Sequence, residues 1–480
     1  MNHHGETATD VKIAYLGGGS RAWAWTFMTD LALEPNLSGT IKLYDIDIEA
    51  AKNNEIIGNS ISGRKEAISK WKYETASTIQ EALTDADFVV ISVLPGTFDE
   101  MEVDVHMPEK YGIYQSVGDT AGPGGIMRAL RTLPMFVEIA NAIKDICPKA
   151  WVINLTNPMS LCVKTLYHVF PKIKAFGCCH EIFGTQQLLK GILKREEDID
   201  VWSRNEILVN ILGINHFTWF DYASYKGRDL FPIYKQYISK HFEEGFEEEK
   251  NWKNDCFACS HRVKFDLFNK YGLIAAAGDR HLAEFMPGDT YLLNPETVDS
   301  WKFGLTPVSW RKDDLQKRLA KSKRLVSGEE SFELTPTGEE SVLLIKALCG
   351  LNRIISNVNI PNSYLQVKNL PKTAIVETNA IFERDTIRPI VAGRIPEEIL
   401  SFIKPQTENH ERILKAALEC DIDLVYEAFK HDTLINGRLS NKEIKCLVKD
   451  MIKGTIQYLP EEWNYVMTCI TKNFTLKKEK

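Results

Sequence analysis

The sequence predicts an α/β fold, a doubly wound parallel sheet in the N-terminal part followed by a mixed α+β, helix-rich part. Three observations predict it. An apolar run, residues 11–16, ends in Gly17-Gly18-Gly19, and a second run, 41–44, ends at Asp45. Residues 87–93 and 151–154 are apolar without alternation, as strands covered on both faces of a parallel sheet must be. Helix-compatible stretches separate these runs until about Ile199, after which the alternation stops.

Each element follows in order. Residues 11–16, the glycines, 21–33 and 41–44 make a β–turn–α–β unit. Helical stretches at 78–84, 125–144 and 157–170 alternate with strands at 87–93, 151–154 and 174–177, the pattern of a Rossmann-like sheet. This sets the expected division: 1–200 as the nucleotide-binding domain, 201–480 as the substrate, metal and oligomerisation domain. In the second part, 207–214 and 217–225 read as paired strands joined at Asn215–His216. The acidic, Phe-spaced stretch 236–250 reads as a helix with a solvated face. Helices are expected at 339–356, 408–419 and 441–456. The Pro- and Asn-rich stretch 357–371 reads as a loop crossing back toward a site, and Lys-rich 472–480 as a frayed tail.

Bulk properties narrow the class. A chain of 480 residues is too long for one small core, so two domains are expected. A net charge of −7 with no dense Lys/Arg stripe argues against nucleic acid as a partner. No apolar run is long enough to span a bilayer, and residues 1–10 lack the apolar core of a signal peptide. Ten cysteines scattered through so large a chain point to a reduced, cytoplasmic protein rather than a disulfide framework.

Gly17-x-Gly19-x-x-Ala22 is a variant of the dinucleotide fingerprint, with Ser20 at its end. Its glycines allow a tight turn and close approach of backbone to a pyrophosphate at the following helix N-terminus. Asp45, an acid at the end of the next strand, is placed to accept both ribose hydroxyls, which favours NAD over NADP. The plainer reading makes the glycines a loop and Asp45 a strand-end turn residue.

Further on, Cys179-His180 follow a predicted strand, and His216 ends another. Thiolate plus imidazole suits a divalent transition metal, although the spacing matches no structural zinc motif and buried cysteines are common. Asn154 and Asn157 flank a turn where amides orient either a polyol or the nicotinamide ribose, or where Asn157 simply caps a helix. Asp119-Thr120-Ala121-Gly122-Pro123-Gly124-Gly125 is a second glycine-rich loop, followed by Arg128 and Arg131. Gly278-Asp279-Arg280-His281 gathers an acid, a cation and an imidazole.

Taken together these segments resemble glycoside hydrolase family 4, the NAD- and metal-dependent glycosidases. The matching pieces are Gly17-Gly18-Gly19-Ser20, Gly122-Pro123-Gly124-Gly125 with Arg128, Asn154-Leu155-Thr156-Asn157-Pro158, Cys179-His180, Gly213-Ile214-Asn215-His216 and Asn369-Leu370-Pro371. The resemblance implies the fold of the lactate and malate dehydrogenase superfamily, Mn²⁺ on Cys179 and His216, and Asn157 beside cofactor and sugar. It implies Asp279 as the base. It also implies a reaction in which NAD oxidises sugar C3, a base removes the C2 proton, the aglycone is eliminated, water adds and the hydride returns. That scheme departs from two-carboxylate hydrolysis.

Substrate type in this family is read from the residues at and after the metal cysteine. Cys179-His180-Glu181-Ile182 resembles the Cys-His-Glu-Val signature of α-galacturonidases. A uronate needs cations or donors, and Arg128, Arg280, His281, His180 and Asp119 form the expected substrate-binding set. Alternatives stay open: an α-galactosidase, α-glucosidase or α-glucuronidase of the same family, a 2-hydroxy-acid dehydrogenase, or a nucleotide sensor without chemistry. The expected partner is a small carbohydrate, and the resemblance suggests a homodimer or homotetramer.

Overall fold

The computed structural model describes residues 1–249 and 251–476. Six strands run parallel in the spatial order Lys174–Gly177, Trp151–Asn154, Phe88–Ile91, Thr7–Leu16, Leu37–Tyr44, Trp71–Thr75. This is the doubly wound order, and it reverses between Thr7–Leu16 and Phe88–Ile91. Ligands bind such sheets in the crevice beyond the carboxyl ends of the strands at that reversal. The expected fold class is therefore observed.

Val89, Val90 and Ile91 are wholly buried, as are Val152 and Ile153, which is what helices on both faces of a parallel sheet impose. Helix Gly122–Ile146 is buried along nearly its whole length, with different neighbours at its two ends. Phe136, Ile139, Ala140 and Ile143 pack under the sheet with Val89, Ile91 and Val152. Ile126, Met127, Leu130 and Leu133 instead pack against the C-terminal helices, meeting Ile413, Leu414, Phe429 and Leu447. One helix thus ties the nucleotide crevice to the C-terminal bundle.

Three expectations fail in the second part. Residues 339–356 are not one helix: Ser341–Leu348 is helical, and Gly350 at φ +81° ends it. Ile354–Pro361, which includes the start of the expected 357–371 loop, is a strand. It pairs antiparallel with Lys174–Gly177 through Asn359 and Gly177, and Ile375–Glu383 and Thr386–Pro389 extend the sheet beyond it. Asn357 and Asn359 hid this strand, because polar residues at buried positions break the apolar pattern on which a strand reading depends.

The 236–250 expectation also fails. The helix is Phe231–His241, opened by Pro232, and Phe246 turns inward beneath Gly191. Helix Glu397–Glu419 starts earlier than expected and passes through Pro405. Residues 472–476 continue helix Glu462–Leu476, and the rest of the expected tail lies outside the described residues. No helix among the described residues is long and apolar enough to cross a membrane.

Candidate active site

The glycine turn lies at the strand-order reversal. Gly17 has φ +92°, and a Cβ there would meet Ser92 O at 2.0 Å. The Gly17 and Gly18 amides both donate to Tyr44 O at 2.9 Å. Asn54 donates to Gly18 O at 2.7 Å and to Ser20 O at 2.9 Å, so the turn is built before any ligand arrives. Helix Trp23–Leu33 has no side-chain cap on its N-terminus, leaving its first amides free for an anion. Asp45 sits at this turn: one oxygen accepts from Gly19 N at 2.8 Å, the other from Asp47 N at 2.9 Å. We expect Gly17→Ala to abolish measurable NAD binding in a fluorescence titration and to lower the melting temperature, because Ala meets both the clash and the left-handed backbone. Unchanged NAD affinity would contradict this placement.

The turn after Trp151–Asn154 separates the two asparagines. Asn154 is structural, with its amide donating to Thr156 O at 2.9 Å and its oxygen accepting from Thr156 N at 3.1 Å. With both amide groups spent on Thr156, Asn154 does not make the ligand contact expected of this pair. Asn157 does not cap the helix, since the N-cap of Met159–Val169 is Pro158 without a side-chain bond. Its amide donates to Asp119 Oδ2 at 3.3 Å, while its own Oδ1 is buried with no partner. A buried acceptor in that state is a mark of a missing donor, such as a sugar or ribose hydroxyl. Arg128 Nε braces it by donating to Asn157 O at 3.1 Å.

The second glycine-rich loop brings Asp119 to the same place. Glu284 Oε1 accepts from Val117 N at 2.7 Å and Gly118 N at 2.9 Å, which holds the loop. Thr120 Oγ1 donates to Asp119 Oδ1 at 2.7 Å and lies 3.0 Å from His216 Nδ1. His216 occupies the two-residue turn between strands Ile207–Ile214 and Phe217–Tyr225, at φ +65°. Its ring lies 3.8 Å, centroid to centroid, from His281. Ligand atoms of Asp119, His216 and His281 all fall within 4.8 Å of one another. The Asp119 oxygen and the His216 nitrogen at that spacing fit a divalent cation, with the His281 nitrogen close beside them.

Electrostatics of the cluster suit a cation. Burial alone would raise Asp119, but Arg128, His281 and His216 overcome it and bring the carboxyl down to about 2. Burial, with His281 alongside, pushes His216 down to about 3, so its nitrogens are free to ligate. Cys179 is buried beside Asn215, Glu377 and Glu181, and burial together with both carboxylates raises its thiol well above the ordinary value. A thiolate there requires a cation, which is what a metal supplies. Asn357 fixes this corner by donating to Cys179 O at 2.8 Å and Glu377 Oε1 at 2.6 Å. His180 stands at the mouth, with Nδ1 3.2 Å from Glu339 Oε1 and its ring 5.5 Å from that of Trp23.

Two expected site residues turn elsewhere. Asp279, expected as the base, is wholly buried, and its oxygens accept from Val263 N at 3.1 Å and Lys264 N at 3.2 Å. It stabilises the N-terminus of helix Arg262–Tyr271 and groups with Cys259 and His261 rather than with His216. Arg280, expected on the substrate, donates to Gly304 O, Ser116 O and Thr306 Oγ1, so the fold consumes its guanidinium. His281, one residue further round the same short helix, faces the site instead.

Sequence reasoning missed Glu284, Glu377 and Arg311, which stand in stretches with no recognisable motif and reach the site only through folding. Glu284 carries its own prediction. Burial raises it from 4.5 to about 7, so the folded protein binds a proton there that the unfolded chain releases. Stability from this group therefore falls as pH rises from about 4.5 to 7. Glu284→Gln keeps the oxygen that accepts both loop amides and cannot ionise. Its melting temperature relative to the parent should climb between pH 5 and pH 8, by up to about 1.4 kcal/mol per pH unit in free energy. A pH-independent difference would contradict the burial of this charge.

With the geometry described, comparison with known proteins is direct. Residues 12–195 match the family 4 glycosyl hydrolase profile, and residues 211–435 match the family 4 glycosyl hydrolase C-terminal domain. The chain is 68% identical over 465 residues to an alpha-galacturonidase of Lachnoclostridium phytofermentans, covering 97% of this chain and 100% of that one. It is 49% identical over 455 residues to an alpha-galacturonidase of Bacillus subtilis, covering 95% and 99%. A solved Bacillus subtilis protein superposes with a TM-score of 0.88 at 48% identity, over 92% of this chain and 100% of that one. A 6-phospho-alpha-glucosidase from gut microorganisms, solved with NAD and Mn²⁺, shares the fold at a TM-score of 0.74 and 20% identity, over 94% and 99%. The chain belongs to family 4 of the glycosyl hydrolases, a family of glycosidases.

Proposed function

We propose that this glycosidase hydrolyses α-linked galacturonides with NAD and a divalent metal as catalytic cofactors. The observation that carries the cofactor half is the run of contacts from the glycine turn, where Gly17 lies against Ser92 and Val93, through Val93 N donating to Thr156 Oγ1 at 2.9 Å, to Asn157 and the Asp119–His216–His281 cluster. The substrate half rests on identity of 49% to 68% with relatives named alpha-galacturonidase. When bound, NAD supplies a hydride acceptor and donor, and a metal such as Mn²⁺ supplies a Lewis acid.

The chain's own residues divide the work. Gly17, Gly19, Ser20 and Asp45 hold the dinucleotide. Cys179 and His216 are assigned the metal as the family resemblance implies, although the ligand atoms that group with His216 within 4.8 Å are those of Asp119 and His281 and not Cys179. Asn157 offers its unpartnered Oδ1 to a hydroxyl. His281 is placed to carry a proton: Nε2 faces Glu181 Oε1 at 3.5 Å, and Nδ1 is buried without a partner. Burial opposes charging of this imidazole, but the Glu181 carboxylate outweighs burial and raises it. An imidazole backed by a carboxylate is a common proton-transfer pair, whereas both Asp279 oxygens already accept helix amides. We assign the base role to His281 and a structural role to Asp279.

Digalacturonate and nitrophenyl α-galactoside, each with NAD and Mn²⁺ under reducing conditions, test the substrate. Cleavage of the neutral sugar alone would sink the uronide reading. Product formed in deuterium oxide should carry deuterium at C2. His281→Gln should lose that exchange, while Asp279→Asn should lower the melting temperature; the reverse pattern would return the base role to Asp279. The same reading includes a reducing, cytoplasmic setting that keeps Cys179 reduced, and a homodimer or homotetramer, which light scattering measures.

A further inference from the structure

Arg311 lies in the first turns of helix Val308–Ser327 and belongs to no motif. Its guanidinium is 5.1 Å from the centre of the Phe257 ring, and that of Arg280 is also 5.1 Å from the same ring. The two arginines therefore share one aromatic support, but only Arg280 has spent its donors on the fold. Among the described residues, the buried guanidinium nitrogen without a hydrogen-bond partner is Arg311 Nε. Such a group is costly unless something arrives to accept from it.

The charges around Arg311 indicate what arrives. Burial lowers its pKa, Asp119 is the carboxylate that most supports its charge, and Arg280 and Arg128 oppose it. Three guanidinium groups thus crowd the side of the crevice where Asp119 stands. Asp119 is itself bonded to Thr120 and Asn157. A second anion would relieve the repulsion and satisfy Nε, and a planar carboxylate matches the guanidinium fork better than a hydroxyl does.

We infer that Arg311 is a specificity-determining residue that receives the C6 carboxylate of the terminal uronosyl unit. The inference rests on the uronide reading above. It also explains how the fold tells a uronide from a galactoside, which differ at C6 alone. The loss of a hydroxymethyl partner costs little. The loss of a carboxylate leaves a buried cation unpaired.

Calorimetric binding of galacturonate and of galactose to the full-length protein with NAD tests this, alongside kcat/KM on digalacturonate and nitrophenyl α-galactoside. Arg311→Met should weaken galacturonate binding and digalacturonate kcat/KM on the order of 10- to 100-fold. The loss should fall mainly on KM, with galactose binding unchanged. Arg311→Lys should recover part of it. Circular dichroism melts and NAD titration of each variant report folding. An equal loss for both sugars in a folded variant, or no loss for either, would overturn the role of Arg311 and leave the uronide reading standing. Wild-type protein that binds galactose but not galacturonate would overturn both.

Discussion

His216→Asn is expected to lower NAD- and Mn²⁺-dependent turnover on the order of 10³-fold or more, because the proposed metal would take several kcal/mol off the barrier. Asparagine is the informative replacement. His216 stands at φ +65° in a two-residue strand turn, a conformation that asparagine tolerates and alanine resists. The fold should survive, with strands Ile207–Ile214 and Phe217–Tyr225 still paired, while the imidazole is gone. Cys179→Ser should produce the same loss by another route, since a buried hydroxyl does not ionise where a thiol beside a cation does. Mn²⁺ is expected to raise the melting temperature of the parent protein, and both variants should lose that rise. A His216→Asn protein that keeps turnover at saturating Mn²⁺ would remove His216 from the metal set. Retention of the Mn²⁺-induced stabilisation with loss of turnover would move it from ligand to positioning group.

Arg131→Met is expected to be the most destabilising single change, costing about 3–5 kcal/mol, because it strands a charge in the core. Arg131 Nη1 and Nη2 grip Asp104 at 3.0 and 2.5 Å, and both side chains are almost wholly shielded from water. Burial raises the Asp104 carboxyl and Arg131 opposes that rise, so removing Arg131 raises it further. A carboxyl raised in the folded state costs stability as pH climbs above its ordinary value of 3.8. The deficit in melting temperature should therefore shrink toward pH 4–5 and deepen toward pH 8. Replacing both partners, Arg131→Met with Asp104→Leu, should restore much of the loss, since no unpaired charge is left. The change should also reach the site. Asp104 O accepts from Gln115 Nε2 at 2.7 Å, and Gln115 Oε1 accepts from Gly124 N at 2.9 Å, which holds the loop that carries Asp119. A double variant no more stable than Arg131→Met would show that packing, not charge, governs this position.

Much of the fold was legible because its signals are local. Strands Trp151–Asn154 and Lys174–Gly177 announce themselves as short apolar runs after helical stretches, and their bounds match the expectation. The glycine turn and Asp45 are tied together by chain geometry, since a strand, a turn, a helix and a strand of standard length bring them to one edge. Ile354–Pro361 was illegible for the opposite reason. Asn357 and Asn359 are both buried in it, Asn357 bonding Cys179 and Glu377 across the sheet, and no local pattern encodes that contact.

The site divides along the same line. Residue types and their order along the chain pointed to a nucleotide turn, to metal-capable side chains at Cys179 and His216, and to the glycine loop with Asp119. Those features are chemical, and chemistry is written in residue identity. Direction is not. Asp279, Arg280 and His281 are consecutive, and only the fold decides that the first faces a helix N-terminus, the second a set of backbone carbonyls and the third the crevice. Successive positions on a helix point about 100° apart, so neighbours in sequence can have no neighbours in common. Arg311 and Glu284 come from the second half of the chain, and only tertiary packing brings them to the loop that carries Asp119, because contacts between distant segments depend on how whole elements stack rather than on any local stretch of sequence.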